Sequence, residues 1–140
     1  MIVADAGLIA ALAIRSEHSG LAEAVCVADP AWTAPLLWRS EFCNTLAQCL
    51  GHGGLSLESA LLALRSAEEV IGGREYAVAP EKILQLAQES GCPAYQCEYV
   101  ALALDLGVPL VTADKQTLRA FPKTAVTLKA FAGGTLAGKK

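Results

Sequence analysis

The chain has 140 residues, 54% of them hydrophobic, and a formal net charge of −3, which suits one compact domain with a single substantial core and argues against disorder. Asp5, Arg15, Glu41 or Asp105 interrupts every apolar run before it reaches the roughly 20 residues that span a bilayer, and no basic leader segment follows Met1, so a soluble cytoplasmic protein with no membrane partner is expected. Cys26, Cys43, Cys49, Cys92 and Cys97 are odd in number and contain no CxxC pair, which points to reduced core thiols rather than a disulfide or zinc framework.

The opening "MIVAD" is a short buried strand closed by Asp5, and "AGLIAALAIR" continues as a buried helix, its apolar residues too continuous for an amphipathic one. "EHSGLAEAVCVA" is a second helix. "ADPAWTAP" gives a turn and a short strand over Trp32 to Ala34, and "LLWRSEFCNTLAQCLG" a helix that stops at Gly51 and carries Glu41 and Asn44, three apart, on one face. After the loop "GHGG", Ser56 caps a long helix whose Leu57, Leu61, Leu64 and Val70 suggest the buried stripe, with Gly72 and Gly73 as its end. "PEKILQLAQESG" and "CPAYQCEYVALALDLG" each begin with proline near the first turn and end at glycine, predicting a helical hairpin. "VPLVTAD" is the second clear strand, "KQTLRAF" a short basic helix and "TAVTLKAF" a last strand.

Strands separated by helices throughout predict an α/β fold, a three-layer α/β/α sandwich with a mostly parallel central sheet, in which ligands bind beyond the carboxyl ends of the strands. The chain reads as one domain over 1–132 and a flexible basic tail over 133–140, with no internal repeat. Charge is unevenly placed: residues 1–110 carry 5 basic and 13 acidic side chains, residues 111–140 carry 6 and 1. This late basic segment is suited to phosphates, or serves only as a solubilising tail.

Asp5 and Asp114 fall at strand ends, and Glu41 lies in the helix after the second strand. Hard divalent cations need such carboxylates, and a cation so held lowers the pKa of a bound water for attack on a phosphodiester. Each acid also has a structural reading: Asp5 and Asp114 as helix caps, Glu41 as a partner of Arg39 on a solvated face. His18 and His52 lie in polar or glycine-rich surroundings with no metal-ligand spacing, which fits exposed loop positions. Trp32 and Trp38 suit core or interface packing, and Leu36, Leu37 and Trp38 together suit a dimer face.

Four blocks, "IVADAG", "WRSEFCNTL", "AYQCEYVALALDLG" and "PLVTADKQTL", resemble in order and spacing the PIN-domain family, and within it the ribonuclease toxins of the virulence-associated protein C (VapC) type. The resemblance implies a PIN-like sandwich and a Mg2+- or Mn2+-dependent endoribonuclease that leaves a 5′-phosphate and a 3′-hydroxyl. It also implies a homodimer neutralised by a small antitoxin. Asp5, Glu41 and Asp114 would be the catalytic, metal-ligating acids, with Asn44 and the Thr112 hydroxyl orienting them and Lys115 and Arg119 meeting RNA.

The third acid of that quartet falls on Gln96, and Gly7 stands where the family usually has a small polar residue. A charge lost about 4 Å from the metal forfeits on the order of 4 kcal/mol of attraction per unit of metal charge at an effective dielectric near 20, before relaxation. Glu98 does not simply replace it, since two residues turn a helix through about 200°. A Gln96 carbonyl acting as a neutral ligand, or an irregular first turn, is the alternative. The other function considered is a degenerate PIN domain that binds RNA or a protein without cutting.

Overall fold

A computed structural model describes residues 1–137. The first strand, β1 (Ile2–Ala4), is wholly buried and lies at the centre of a five-stranded sheet. β2 (Trp32–Pro35) and β3 (Glu75–Tyr76) extend the sheet on one side, β4 (Leu110–Val111) and β5 (Ala125–Val126) on the other. Every pairing is parallel, with Ile2 against Trp32, Val3 against Leu110, Ala34 against Glu75 and Leu110 against Ala125. Helices cover both faces, so the inner strands need apolar residues at consecutive positions, and "IVA", "WTAP" and "LV" supply them.

The helices fall into two groups, as right-handed crossovers require. α1 (Ala6–Ala13), α3 (Trp38–Gly51) and α4 (Leu57–Ile71) pack on one another, and α2 (Ser19–Ala28) packs on α1 and on α8 (Leu128–Ala137). α5 (Pro80–Ser90) and α6 (Ala94–Leu106) form the expected hairpin, and α6 lies against β1, β2 and β4. Gly91 turns between them at φ 75°, in the left-handed region that costs glycine no Cβ clash. A Lys82–Asp105 ion pair ties the start of α5 to the end of α6. α7 (Lys115–Ala120) bridges β4 and β5. The result is the three-layer α/β/α sandwich, and among the described residues no helix is long and apolar enough to cross a membrane.

Several local expectations change. On α4 the buried face is Ala60, Ala63, Ala67 and Ile71, while Leu57 and Leu61 are 63% and 44% exposed. Small alanines let α4 sit close to α1, α3 and β2; Leu64 and Val70 still pack against the core at its margin, while Leu57 and Leu61 point away. β3 was not anticipated, being a two-residue edge strand too short for any periodicity. The expected last strand shrinks to Ala125–Val126, because the Thr127 hydroxyl accepts from Ala130 N at 3.0 Å and opens α8. α8 takes in residues 133–137 of the expected tail, and residues 138–140 lie outside the described residues.

Trp32 and Trp38 are both fully buried, so Trp38 belongs to the core and not to an exposed dimer face. All five cysteines are free, with Cys92 and Cys97 buried and Cys43 exposed rather than in the core.

Candidate functional site

The strand order places the reversal of chain direction between β1 and β4: the chain first builds outward from β1 through β2 to β3, then returns to lay β4 on the other side. The crevice beyond the carboxyl ends of two such strands is where parallel α/β sheets hold ligands. Asp5 follows β1 and Asp114 follows β4.

The register Ala4 against Val111 sets Asp5 opposite Thr112. One Asp5 oxygen, Oδ1, caps α1 by accepting from Leu8 N at 2.9 Å, and Oδ2 accepts from the buried Thr112 hydroxyl. That hydroxyl oxygen in turn accepts from Asp114 N at 3.0 Å, so one threonine ties the two acid-bearing strand ends together. Asp114 caps α7, its Oδ2 accepting from Thr117 N at 2.9 Å and from the buried Thr117 hydroxyl at 2.6 Å. Asp114 Oδ1 has no partner among the described residues.

Glu41 comes from the first turn of α3, its Oε1 accepting from the Tyr99 hydroxyl of α6 at 2.6 Å. Arg39 is not its partner. The Arg39 guanidinium is shared between Glu68 and Glu75 and stacks 5.0 Å over the Trp38 ring, which leaves Glu41 free to face the acids.

The electrostatics are those of like charges drawn together. Asp5 is only 8% exposed, and burial raises its pKa; donation by Thr112 and Leu8 opposes this, and the charges of Asp114 and Glu41 push it up further. Burial also raises Glu41, against the hydrogen bond from Tyr99. Glu98, half-buried and without a hydrogen bond among the described residues, is raised by burial and then by the charge of Glu41. Tyr99 is 1% exposed, and burial, then Glu41, Asp5 and Glu98, hold its hydroxyl protonated far above the usual phenol range.

The donors are all oxygens, the set a hard divalent cation takes. Among the described residues no three His, Cys, Asp or Glu side chains converge closely enough to hold a bare ion. A cleft of about 240 Å³ is lined by Gly7, Leu8, Ala11, His18, Ala113 and Leu128, and none of the three acids is among its lining residues.

The crystal structure of PAE2754 from Pyrobaculum aerophilum is similar to this chain at TM-score 0.77 and 21% identity, over 97% of this chain and 89% of that one. The likeness is one of fold. No family model and no curated protein matches the chain.

Asp5, Glu41, Asp114 and Thr112, singled out from sequence, thus meet at one end of the sheet. The capping reading of the two aspartates holds, since Asp5 caps α1 and Asp114 caps α7. Asn44 is exposed on α3 and its side chain makes no hydrogen bond among the described residues, so it does not orient Glu41. Gln96 lies one turn before Tyr99 on the same face of α6, half-buried and likewise without a side-chain hydrogen bond among the described residues. Lys115 and Arg119 are exposed, one turn apart on α7, with no ion pair among the described residues. Gly7 has room for a side chain: a Cβ there would meet only Asp5 Oδ1, at 3.5 Å.

Sequence reasoning missed Tyr99 and Thr117. Tyr99 stands three residues after Gln96 and so shares its helix face, a signal present in "YQCEY". Thr117 is an ordinary helix residue until Asp114 is known to cap that helix.

Proposed function

We propose that this chain is a PIN-domain endoribonuclease of the toxin type that hydrolyses RNA phosphodiesters with Mg2+ or Mn2+. One observation carries the reading: Asp5, Asp114 and Glu41 gather at the switch point of the sheet, where burial, and then the charges of Asp114 and Glu41, raise Asp5. Acids that served only as caps or surface groups would have no reason to collect there.

In this reading Asp5, Glu41 and Asp114 would hold the cation directly or through its waters, and the cation when bound would supply charge neutralisation and an acidified water. Thr112 holds Asp5 by donating to Oδ2 and fixes Asp114 through its backbone N–H, so the two acids keep one spacing. Thr117 occupies Asp114 Oδ2 and leaves Oδ1 to face the site. Lys115 and Arg119 contact the RNA backbone as it crosses α7, and the cleft beside Gly7 and Ala113 takes the adjoining nucleotide. A second copy of the chain and a small antitoxin, the partners the resemblance implies, would find an apolar surface in the exposed Leu57, Leu61 and Leu62 of α4.

The test is Mg2+- and Mn2+-dependent cleavage of mixed-sequence single-stranded RNA, with EDTA and Asp5→Asn as controls. Metal-dependent cleavage that Asp5→Asn abolishes supports the reading; cleavage that survives Asp5→Asn removes Asp5 from the mechanism.

The neutral Gln96 favours a second reading, a degenerate PIN domain that binds RNA without cutting. It requires RNA affinity that survives EDTA and falls with salt. Binding abolished by EDTA counts against it.

A further inference from the structure

We infer that Tyr99 is a positioning residue of the acid site, holding the Glu41 carboxylate toward Asp5 and Asp114 through its hydroxyl. The inference rests on the metal-dependent reading above and deepens it. It follows from where the hydroxyl sits. Tyr99 is a large aromatic residue buried to 1% exposure in the layer between α6 and the sheet, where phenylalanine would pack equally well. A buried phenol needs a partner for its hydroxyl, and of all the polar groups in the fold it takes one of the three candidate ligands, at 2.6 Å.

Two further features separate this from an incidental contact. Glu41 has no other hydrogen-bond donor to its carboxylate among the described residues, since Arg39 is committed to Glu68 and Glu75 and Asn44 points to solvent. Its rotamer is therefore set by Tyr99. The bond also joins helices from opposite layers: α3 follows β2 on one face, α6 precedes β4 on the other, and both reach the crevice over the strand ends. Tyr99 does for Glu41 what Thr112 does for Asp5, and together they fill the outer layer of donors by which metal-binding carboxylates are oriented.

The experiment compares Mn2+ affinity, read by calorimetry, in the parent chain, Tyr99→Phe and Val100→Ala. The last is a core truncation on the same helix at a fully buried residue. Tyr99→Phe keeps the ring and its packing, so both variants fold. Loss of an orienting partner weakens affinity by about tenfold to a hundredfold, and Tyr99→Phe is expected in that range while Val100→Ala stays within about twofold of the parent. Unchanged affinity in Tyr99→Phe, or an equal loss in Val100→Ala, overturns the inference, the second because it would mark a purely structural role.

A parent chain that binds no Mn2+ would refute the metal-dependent reading itself, and the inference is then decided by the side-chain carboxyl carbon resonance of Glu41 in labelled protein. A resonance that shifts in Tyr99→Phe and not in Val100→Ala supports positioning. One that does not move overturns it.

Discussion

Replacing Asp5 by asparagine is the sharpest separation of a helix cap from a site acid. Asparagine caps helices about as well as aspartate, so the bond from Leu8 N survives in Asp5→Asn. The Thr112 hydroxyl can turn to accept from the new amide. What disappears is one negative charge, and two terms of opposite sign follow. Loss of the favourable interaction with the N-terminus of α1 costs about 0.3–1 kcal/mol. Relief of a desolvated charge facing Asp114 and Glu41 works the other way, and the raised pKa of Asp5 shows which wins, because hydrogen bonds to its ionised form are already counted against it.

The net expectation is a gain on the order of the 0.5–2 kcal/mol that single stabilising substitutions commonly give, or roughly 2–8 °C in Tm for a domain of this size. The pH dependence gives the internal control. A carboxyl whose folded pKa is raised binds its proton more tightly in the folded state, so its cost to stability is absent below the unfolded value of 3.8 and grows as pH rises through the folded pKa. The Tm advantage of Asp5→Asn is therefore largest at neutral pH and shrinks toward about pH 4. Thermal unfolding followed by circular dichroism across that range reads it directly. A variant less stable than the parent at neutral pH, or a difference that does not change with pH, would show that Asp5 is a cap and that the electrostatic argument for the site is mistaken.

Gln96→Asp restores a fourth acid on the face shared with Tyr99; Mn2+ affinity and RNA cleavage should both rise at least tenfold, and a variant with unchanged affinity would place position 96 outside the site. Thr112→Val removes the hydroxyl that donates to Asp5 and accepts from Asp114, at a residue with no exposure, and should cost about 1–3 kcal/mol in urea unfolding; a cost under about 0.5 kcal/mol would deny that the hydroxyl links the two strand ends. Lys115→Ala with Arg119→Ala should weaken RNA binding across all sequences and reduce the slope of log affinity against log salt by about 2, measured by fluorescence anisotropy in EDTA. An unchanged slope would move the RNA path away from α7.

The sequence by itself determined the elements that local chemistry dictates. Apolar runs closed by Asp5 and Asp114 marked β1 and β4, Ser56 marked the start of α4, and Gly91 and Gly107 marked the ends of the two hairpin helices, because capping and left-handed turns act over three or four residues. The same locality made Asp5, Glu41 and Asp114 legible as candidates, while Thr112 was singled out only through the family resemblance. It did not reveal which face of α4 is buried: leucine and alanine stripes coexist there, and only close packing against α1, α3 and β2 selects the alanines. β3 was hidden for the same reason, since two half-exposed residues become a strand only when β2 offers an edge. Tertiary structure alone decided the partners of the acids. Thr112 reaches Asp5 across 107 positions of sequence and Tyr99 reaches Glu41 across 58, distances over which no helical or strand period carries information. The strand order that lays β4 beside β1 creates the first of these contacts, and the meeting of α3 and α6 over the strand ends, from opposite faces of the sheet, creates the second.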